Sequence, residues 1–179
     1  MANAPEATLR RFQSPAVRQG AALDELVRQA VFGAPEEREQ ARWLIWEIGQ
    51  QAGVRPASIH ELYLARGRGQ VRPFTTPAMN IRVLSYDSAR AVFRAAKRLD
   101  VGALICEIAR SEIGYTEQRP AEYAACVLAA AIRERFEGPV FIQGDHFQAS
   151  AKKWATEEGR AGEMKALESL IDEALAAEF

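Results

Sequence analysis

The sequence has few of the residues that build histidine or cysteine chemistry. Two of its 179 residues are histidines, His60 and His146, and two are cysteines, Cys106 and Cys126. Both cysteines lie in apolar runs without a CxxC spacing, which is typical of free, buried thiols in a reducing compartment; a disulfide between them is the alternative. The scarcity of histidine leaves little room for an active site made of imidazole groups.

The chain also lacks an excess of charge of one sign and any long apolar run. Its 23 basic and 24 acidic residues leave a formal net charge of -1, which disfavours nucleic-acid binding by bulk basicity and leaves only a local basic patch open. No run approaches the roughly 18 apolar residues of a membrane span, and the N-terminal segment has no apolar core of a signal peptide. We therefore expect a cytoplasmic protein that binds neither nucleic acid nor membranes.

What the sequence does contain is enough apolar residues for a sizeable core. Hydrophobic residues make up 48% of the chain, against 12 glycines and 8 prolines, which excludes disordered and collagen-like classes. Apolar periodicity predicts that residues 1–72 are a helical segment. Its helices are expected over 21–32, from Pro35 to a stop at Gly53, and after a cap at Ser58.

Residues 73–179 show a different pattern, in which short apolar runs alternate with longer helical segments. The runs cover 74–81, 103–109 and 140–143, and the helical segments cover 85–99, 120–136 and 162–179. Strand followed by helix, three times, is typical of a parallel α/β architecture. An all-helical bundle is the alternative, but the apolar runs are too short to be helices of their own.

Polar residues collect where these strands are expected to end. Asn80 lies at the end of the first strand, and the pair Asp145-His146 lies at the end of the third. In parallel α/β folds the chemistry lies at the carboxyl ends of the strands. Asp145 and His146 are either a turn cap and a structural histidine, or a catalytic and metal-binding pair.

Glu107 is the second unusual residue, a carboxylate inside the most apolar strand. Two interpretations remain open at this point. Glu107 either faces the interior of a barrel near its mouth, where substrate or Arg110 pairs with it, or forms a salt bridge with a helix residue.

Two segments resemble class II, metal-dependent ketose-bisphosphate aldolases. Gly138-Pro139-Val140-Phe141-Ile142-Gln143-Gly144-Asp145-His146 is similar to the third strand of that family, and Pro77-Ala78-Met79-Asn80 is similar to its first-strand Pro-Ala-Phe-Asn segment. The resemblance covers about residues 73–179. It implies an α/β fold in which the first three βα units of a TIM (β/α)8 barrel follow an N-terminal helical extension, residues 1–72.

The resemblance also implies a zinc-assisted, reversible aldol cleavage of a ketose 1,6-bisphosphate to dihydroxyacetone phosphate and glyceraldehyde 3-phosphate. His146 is then a ligand of zinc or another divalent metal, and Asp145 is the catalytic proton donor or acceptor. Asn80, Glu107 and Ser111 are expected to bind the phosphorylated sugar. Ala109 stands where the family has a serine.

The same resemblance predicts a homo-oligomer in the full-length form, with further metal ligands and a phosphate site beyond Phe179. The chain alone is then expected neither to close a barrel nor to catalyse. Two alternatives remain. Gly114-Tyr115-Thr116 with Pro120-Ala121-Glu122-Tyr123 resembles the non-catalytic accessory subunits of tagatose-bisphosphate aldolases, and a metal-dependent sugar-acid epimerase would use a similar site.

Overall fold

A parallel four-stranded sheet organises the chain in the computed structural model, which describes residues 6–179. The strands are β1 (Val54–Ala57), β2 (Ala78–Asn80), β3 (Ile105–Ala109) and β4 (Gly138–Asp145), in the spatial order β1-β4-β3-β2. The helices are α1 (Glu6–Arg11), α2 (Pro15–Arg18), α3 (Ala21–Phe32), α4 (Pro35–Ala52), α5 (His60–Gly67), α6 (Ser85–Arg98), α7 (Arg110–Thr116), α8 (Pro120–Arg133) and α9 (Glu157–Ala176), with a short 3-10 turn at Lys153–Ala155. The α/β class with a parallel sheet is therefore confirmed.

Helices α3, α4, α6 and α8 begin and end close to the predicted positions. Helix α9 instead begins at Glu157, before the predicted start at 162, because Thr156 caps it by accepting the Gly159 N–H. Pro35 and Pro120 stand in the first turns of α4 and α8, where the missing N–H of proline costs nothing. Gly53 ends α4 in the left-handed conformation, with φ 73°. No helix in residues 6–179 combines the length and apolarity needed to cross a membrane.

The structure corrects the prediction that residues 1–72 are purely helical. Val54–Ala57 forms β1, which pairs in parallel with Gly138–Phe141 of β4. An arginine and a proline in four residues give no strand pattern in the sequence. The strand forms because β4 presents an edge and because Val54 is buried against α4 and α8, at 1% exposure.

The first predicted strand of the 73–179 region is also shorter than expected. Only Ala78–Asn80 pairs with β3, rather than residues 74–81. The Pro77 carbonyl still accepts the Ile105 N–H at 2.8 Å, but proline has no N–H with which to extend the ladder.

The two faces of the sheet are covered differently. Cys106, Ile108, Val140 and Ile142 point into the main core under α3, α4, α6 and α8. Residues of the opposite parity, Ile105 and Phe141, form a separate small cluster that is covered by the side chains of Ala57, Ile59, Leu62 and Phe74. By alternation, the face without the long helices also carries the row Asn80, Glu107 and Gln143, which are partners in register.

Both cysteines are free thiols in the core, which confirms the prediction of buried thiols rather than a disulfide. Cys106 lies in β3 and Cys126 in α8, and both are buried. Burial raises the pKa of each thiol to about 12, so both stay protonated at neutral pH and behave as small apolar side chains.

Tyr123 connects the helical layer to the sheet. It is fully buried in α8, and its hydroxyl donates a hydrogen bond to the main-chain carbonyl of Glu107 at 2.7 Å. That carbonyl also accepts the Ile81 N–H at 3.1 Å. Helix α8, strand β3 and the end of β2 therefore meet at one carbonyl oxygen.

We expect Tyr123→Phe to lower the free energy of unfolding by about 1 kcal/mol, because the Glu107 carbonyl keeps its second donor. Tyr123→Ala removes the ring as well and is expected to cost about 3–5 kcal/mol. Urea denaturation measures both values. Tyr115→Phe is the matched control, since Tyr115 is 63% exposed and its change is expected to stay within about 0.5 kcal/mol. A Tyr123→Phe value equal to that of the control would contradict the role of the hydroxyl.

Candidate functional site

A set of hydrogen-bonded polar side chains lies where the carboxyl ends of β2, β3 and β4 meet. The Asn80 side-chain amide donates to Glu112 Oε2 and to Asp145 Oδ2, each at 2.9 Å. A planar amide nitrogen with two hydrogens places two such acceptors about 5 Å apart. Asn80 thus holds two carboxylates from two different elements in a fixed relation, and we call Asn80, Arg82, Glu112, Asp145 and His146 the edge cluster.

Glu112 and its partner Arg82 are the members of the edge cluster that the sequence did not identify as site residues. Helix α7 starts directly after β3, and Glu112 accepts the Ala109 N–H at 2.9 Å from the third position of the helix. Arg82 Nε lies 3.0 Å from its other oxygen, and Glu112 is only 6% exposed. The signal in the sequence was a glutamate three residues after the last strand residue, which is the spacing of a capping box.

Asp145 and His146 end β4 in adjacent but different environments. The Asp145 side chain is 25% exposed and that of His146 is 72% exposed, and His146 Nε2 lies 3.2 Å from Asp145 Oδ1. His146 adopts a left-handed backbone with φ 48°, which turns the chain away from the sheet. One oxygen of Asp145 therefore faces Asn80 and the other faces an accessible imidazole.

The expected partners of Glu107 are corrected by the structure. Glu107 is 9% exposed and accepts a hydrogen bond from the Gln143 side-chain amide on the neighbouring strand. Arg110 instead pairs with Glu163 at 2.8 Å. Neither the proposed contact with Arg110 nor a salt bridge with a helix residue is formed, because Gln143 faces Glu107 in register.

The sequence-predicted site residues are therefore brought together only in part. Asn80, Asp145 and His146 meet, as the parallel arrangement of strands predicted. Glu107 lies in the same row as Asn80, with which it is in register, and two residues before the position that pairs with Asp145. Ser111 is exposed in the first turn of α7.

The segment that follows His146 is fixed by a buried carboxylate on α9. Glu163 is 2% exposed and accepts from Arg110 at 2.8 Å, from Lys153 at 3.0 Å and from the Ser150 N–H at 2.8 Å. These donors lower the pKa of Glu163 to about 2. Arg110 also donates to the Gln148 carbonyl at 2.8 Å, so one ion pair holds the exit of β4 against α9.

Gly144 lets an aromatic ring pack beside the edge cluster. A Cβ at Gly144 would lie 2.6 Å from ring atoms of Phe147, closer than any real Cβ contact. Phe147 in turn packs against the main core. The chain turns back after β4 and places the Phe147 ring against Gly144, which leaves no room for a side chain at that position.

The edge cluster fits a zinc ion only in part. Zinc sites use three or four nitrogen, sulfur or oxygen ligands, and residues 6–179 contain no group of three or more His, Cys, Asp and Glu side chains placed to hold a metal. His146 and Asp145 offer one accessible nitrogen and one oxygen. Glu112 is committed to Arg82, Asn80 and the Ala109 N–H.

Comparison with known proteins finds no relative: no family model, curated protein or solved structure matches the chain. The geometry of the edge cluster and the segments Pro77–Asn80 and Gly138–His146 are therefore the features that point to a function.

Replacing Gly144 with alanine is expected to destabilise the protein by about 1–3 kcal/mol, because the added methyl overlaps the Phe147 ring. Gly162→Ala is the matched control in α9, where an added Cβ meets nothing within 4 Å. That change is expected to stabilise by about 0.5–1 kcal/mol through helix propensity. Thermal unfolding measures both; equal shifts of one sign would contradict the predicted packing.

The depressed pKa of Glu163 predicts a loss of stability in acid. Because the folded-state pKa, about 2, lies below the ordinary 4.5, the stabilisation is complete above pH 4.5 and is lost as the pH falls towards 2. Glu163→Gln is expected to unfold more readily at pH 7 and to lose stability less steeply over that interval. Chemical denaturation across pH 2–7 measures this, with the exposed Glu168→Gln as control; parallel curves for Glu163→Gln and wild type would count against the ion-paired state.

Proposed function

We propose that the edge cluster is the proton-transfer part of a class II aldolase-type lyase site that acts on a ketose 1,6-bisphosphate. The observation that carries the proposal is Asp145, which is held by Asn80 on one side and faces His146 on the other at the carboxyl edge of a parallel sheet. These are the same residues on which the resemblance to class II aldolases depends.

The arrangement of the sheet supports a barrel-type site. Strands β2, β3 and β4 are neighbours in chain order. Helices α4 and α8 pack on one face of the sheet, and α3 and α6 pack against α8. The other face carries a polar row above an apolar cluster. In a (β/α)8 barrel the helices lie outside, the strands follow in order, and the chemistry lies at the carboxyl ends.

Strand β1 is the feature that a barrel must accommodate. It lies on the edge of β4 where a barrel places the strand that follows β4. Its pairing is limited to Gly138–Phe141. The proposal therefore requires the second half of β4 to be the part that is available for barrel pairing.

The chemistry assigned to the chain is the movement of one proton. In the cleavage direction the bond between C3 and C4 of the sugar breaks, and Asp145 takes the proton of the C4 hydroxyl; in the condensation direction it returns that proton. Asn80 orients the carboxylate through Oδ2. A divalent metal bound to His146 would supply polarisation of the substrate ketone. Glu112, which is paired with Arg82, accepts a hydrogen bond from Asn80 and so helps to position it.

A second candidate is a non-catalytic barrel subunit that stabilises a partner enzyme. The observation in its favour is the incomplete donor set for zinc among residues 6–179. Such a subunit would keep the fold and the Asp145-His146 turn without needing turnover. The two candidates differ in whether the edge cluster takes part in the chemistry.

Zinc binding and aldol cleavage separate the two candidates. In the full-length form that the resemblance implies, the lyase proposal predicts zinc binding by calorimetry that His146→Ala abolishes. It also predicts that Asp145→Asn lowers kcat for fructose or tagatose 1,6-bisphosphate by roughly 10²–10⁴-fold while zinc binding remains. Asp87→Asn is the control, since that carboxylate is 68% exposed on α6. Turnover that is independent of zinc and insensitive to both variants, or no zinc binding at all, would overturn the lyase proposal.

A further inference from the structure

A cavity separate from the edge cluster lies between α3 and α6, on the helical side of the sheet. Its volume is about 500 Å³, its apolar walls include Val27, Val31 and Phe32 of α3, and Cys126 of α8 lines it as well. It shares no residue with the edge cluster. Cavities of this size and lining are typical of small-molecule sites.

Two large apolar side chains that line this cavity are exposed and belong to neither core cluster. Phe32 is 80% exposed at the end of α3, and Leu84 is 74% exposed just before α6. Leu84 also adopts a left-handed backbone with φ 48°, a conformation that is unfavourable for leucine. Residues held in such conformations occur preferentially where proteins contact ligands.

The charged groups around the cavity are already paired with other protein groups. Asp24 accepts from the Tyr86 hydroxyl at 2.6 Å and from Arg133 at 3.3 Å. Arg28 pairs with Glu25 at 2.8 Å. Arg90 pairs with Glu134 at 2.8 Å and with Asp87 at 3.2 Å. A ligand would therefore meet charged side chains that already have partners, together with exposed apolar side chains.

We propose that the cavity between α3 and α6 binds a neutral, apolar small molecule on the order of one or two fused rings in size. Phe32, Leu84, Val27 and Val31 supply the apolar contacts to the ligand. Because the surrounding ion pairs are internal, a charged ligand gains no partner there and loses its hydration. The inference does not depend on the reaction proposed for the edge cluster.

Indole is the neutral probe for this site, and indole-3-acetate is its charged counterpart. Titration of the isotope-labelled protein, followed by amide chemical shifts, is expected to give saturable changes confined to α3, the first half of α6 and α8. Indole is expected to bind more tightly than indole-3-acetate. Absence of saturable shifts, shifts centred elsewhere, or tighter binding of the anion would each overturn the proposal.

Two variants make the assignment specific. Leu84→Gly suits the left-handed backbone, so it preserves folding while removing one side of the opening, and Val31→Trp fills the cavity. Leu84→Gly is expected to weaken indole binding by about tenfold, the effect of losing one apolar contact. Val31→Trp occupies the volume of the ligand and is expected to abolish saturable binding. Leu99→Ala is the control at an apolar residue that is 69% exposed and does not line the cavity; an affinity equal to wild type in both cavity variants would place the site elsewhere.

Discussion

The burial of β3 on both sides is the constraint on which the rest of the structure depends. All five residues of this strand are buried. The strand pairs with β2 on one side and β4 on the other, and both of its faces are covered. A strand in that position must satisfy every polar group internally. The Glu107 side chain therefore meets Gln143, its carbonyl meets Tyr123 and Ile81, and the chain leaves β3 directly into α7.

That exit from β3 also positions the edge cluster. Because α7 begins without an intervening loop, Glu112 reaches back to the Ala109 N–H and is fixed beside the strand ends. Asn80 then has two acceptors at fixed positions, one from α7 and one from β4. The local capping of one short helix thus decides how Asp145 is oriented.

The sequence predicted those parts of the fold that depend on local signals. Helices α3, α4, α6 and α8 follow from apolar periodicity with proline and glycine at their ends. The meeting of Asn80 with Asp145 and His146 follows from placing three parallel strands side by side.

The parts that were missed depend on contacts between distant residues. Strand β1 forms only because β4 offers it an edge, since Val54–Ala57 has no strand pattern of its own. Gln143 as the partner of Glu107 depends on register, which one strand cannot reveal. The metal, the sugar and the oligomeric state remain predictions.

The partial pairing of β1 gives the two halves of β4 different neighbouring strands. In the described chain, residues 138–140 pair with β1 alone, residues 142–145 pair with β3 alone, and only Phe141 has a strand on both sides. The half that carries Asp145 is held by β3, by Asn80 and, beyond His146, by the contacts of Arg110 and Glu163. The attachment of β1 to the sheet and the position of the Asp145 carboxylate therefore depend on separate sets of contacts at opposite ends of one strand.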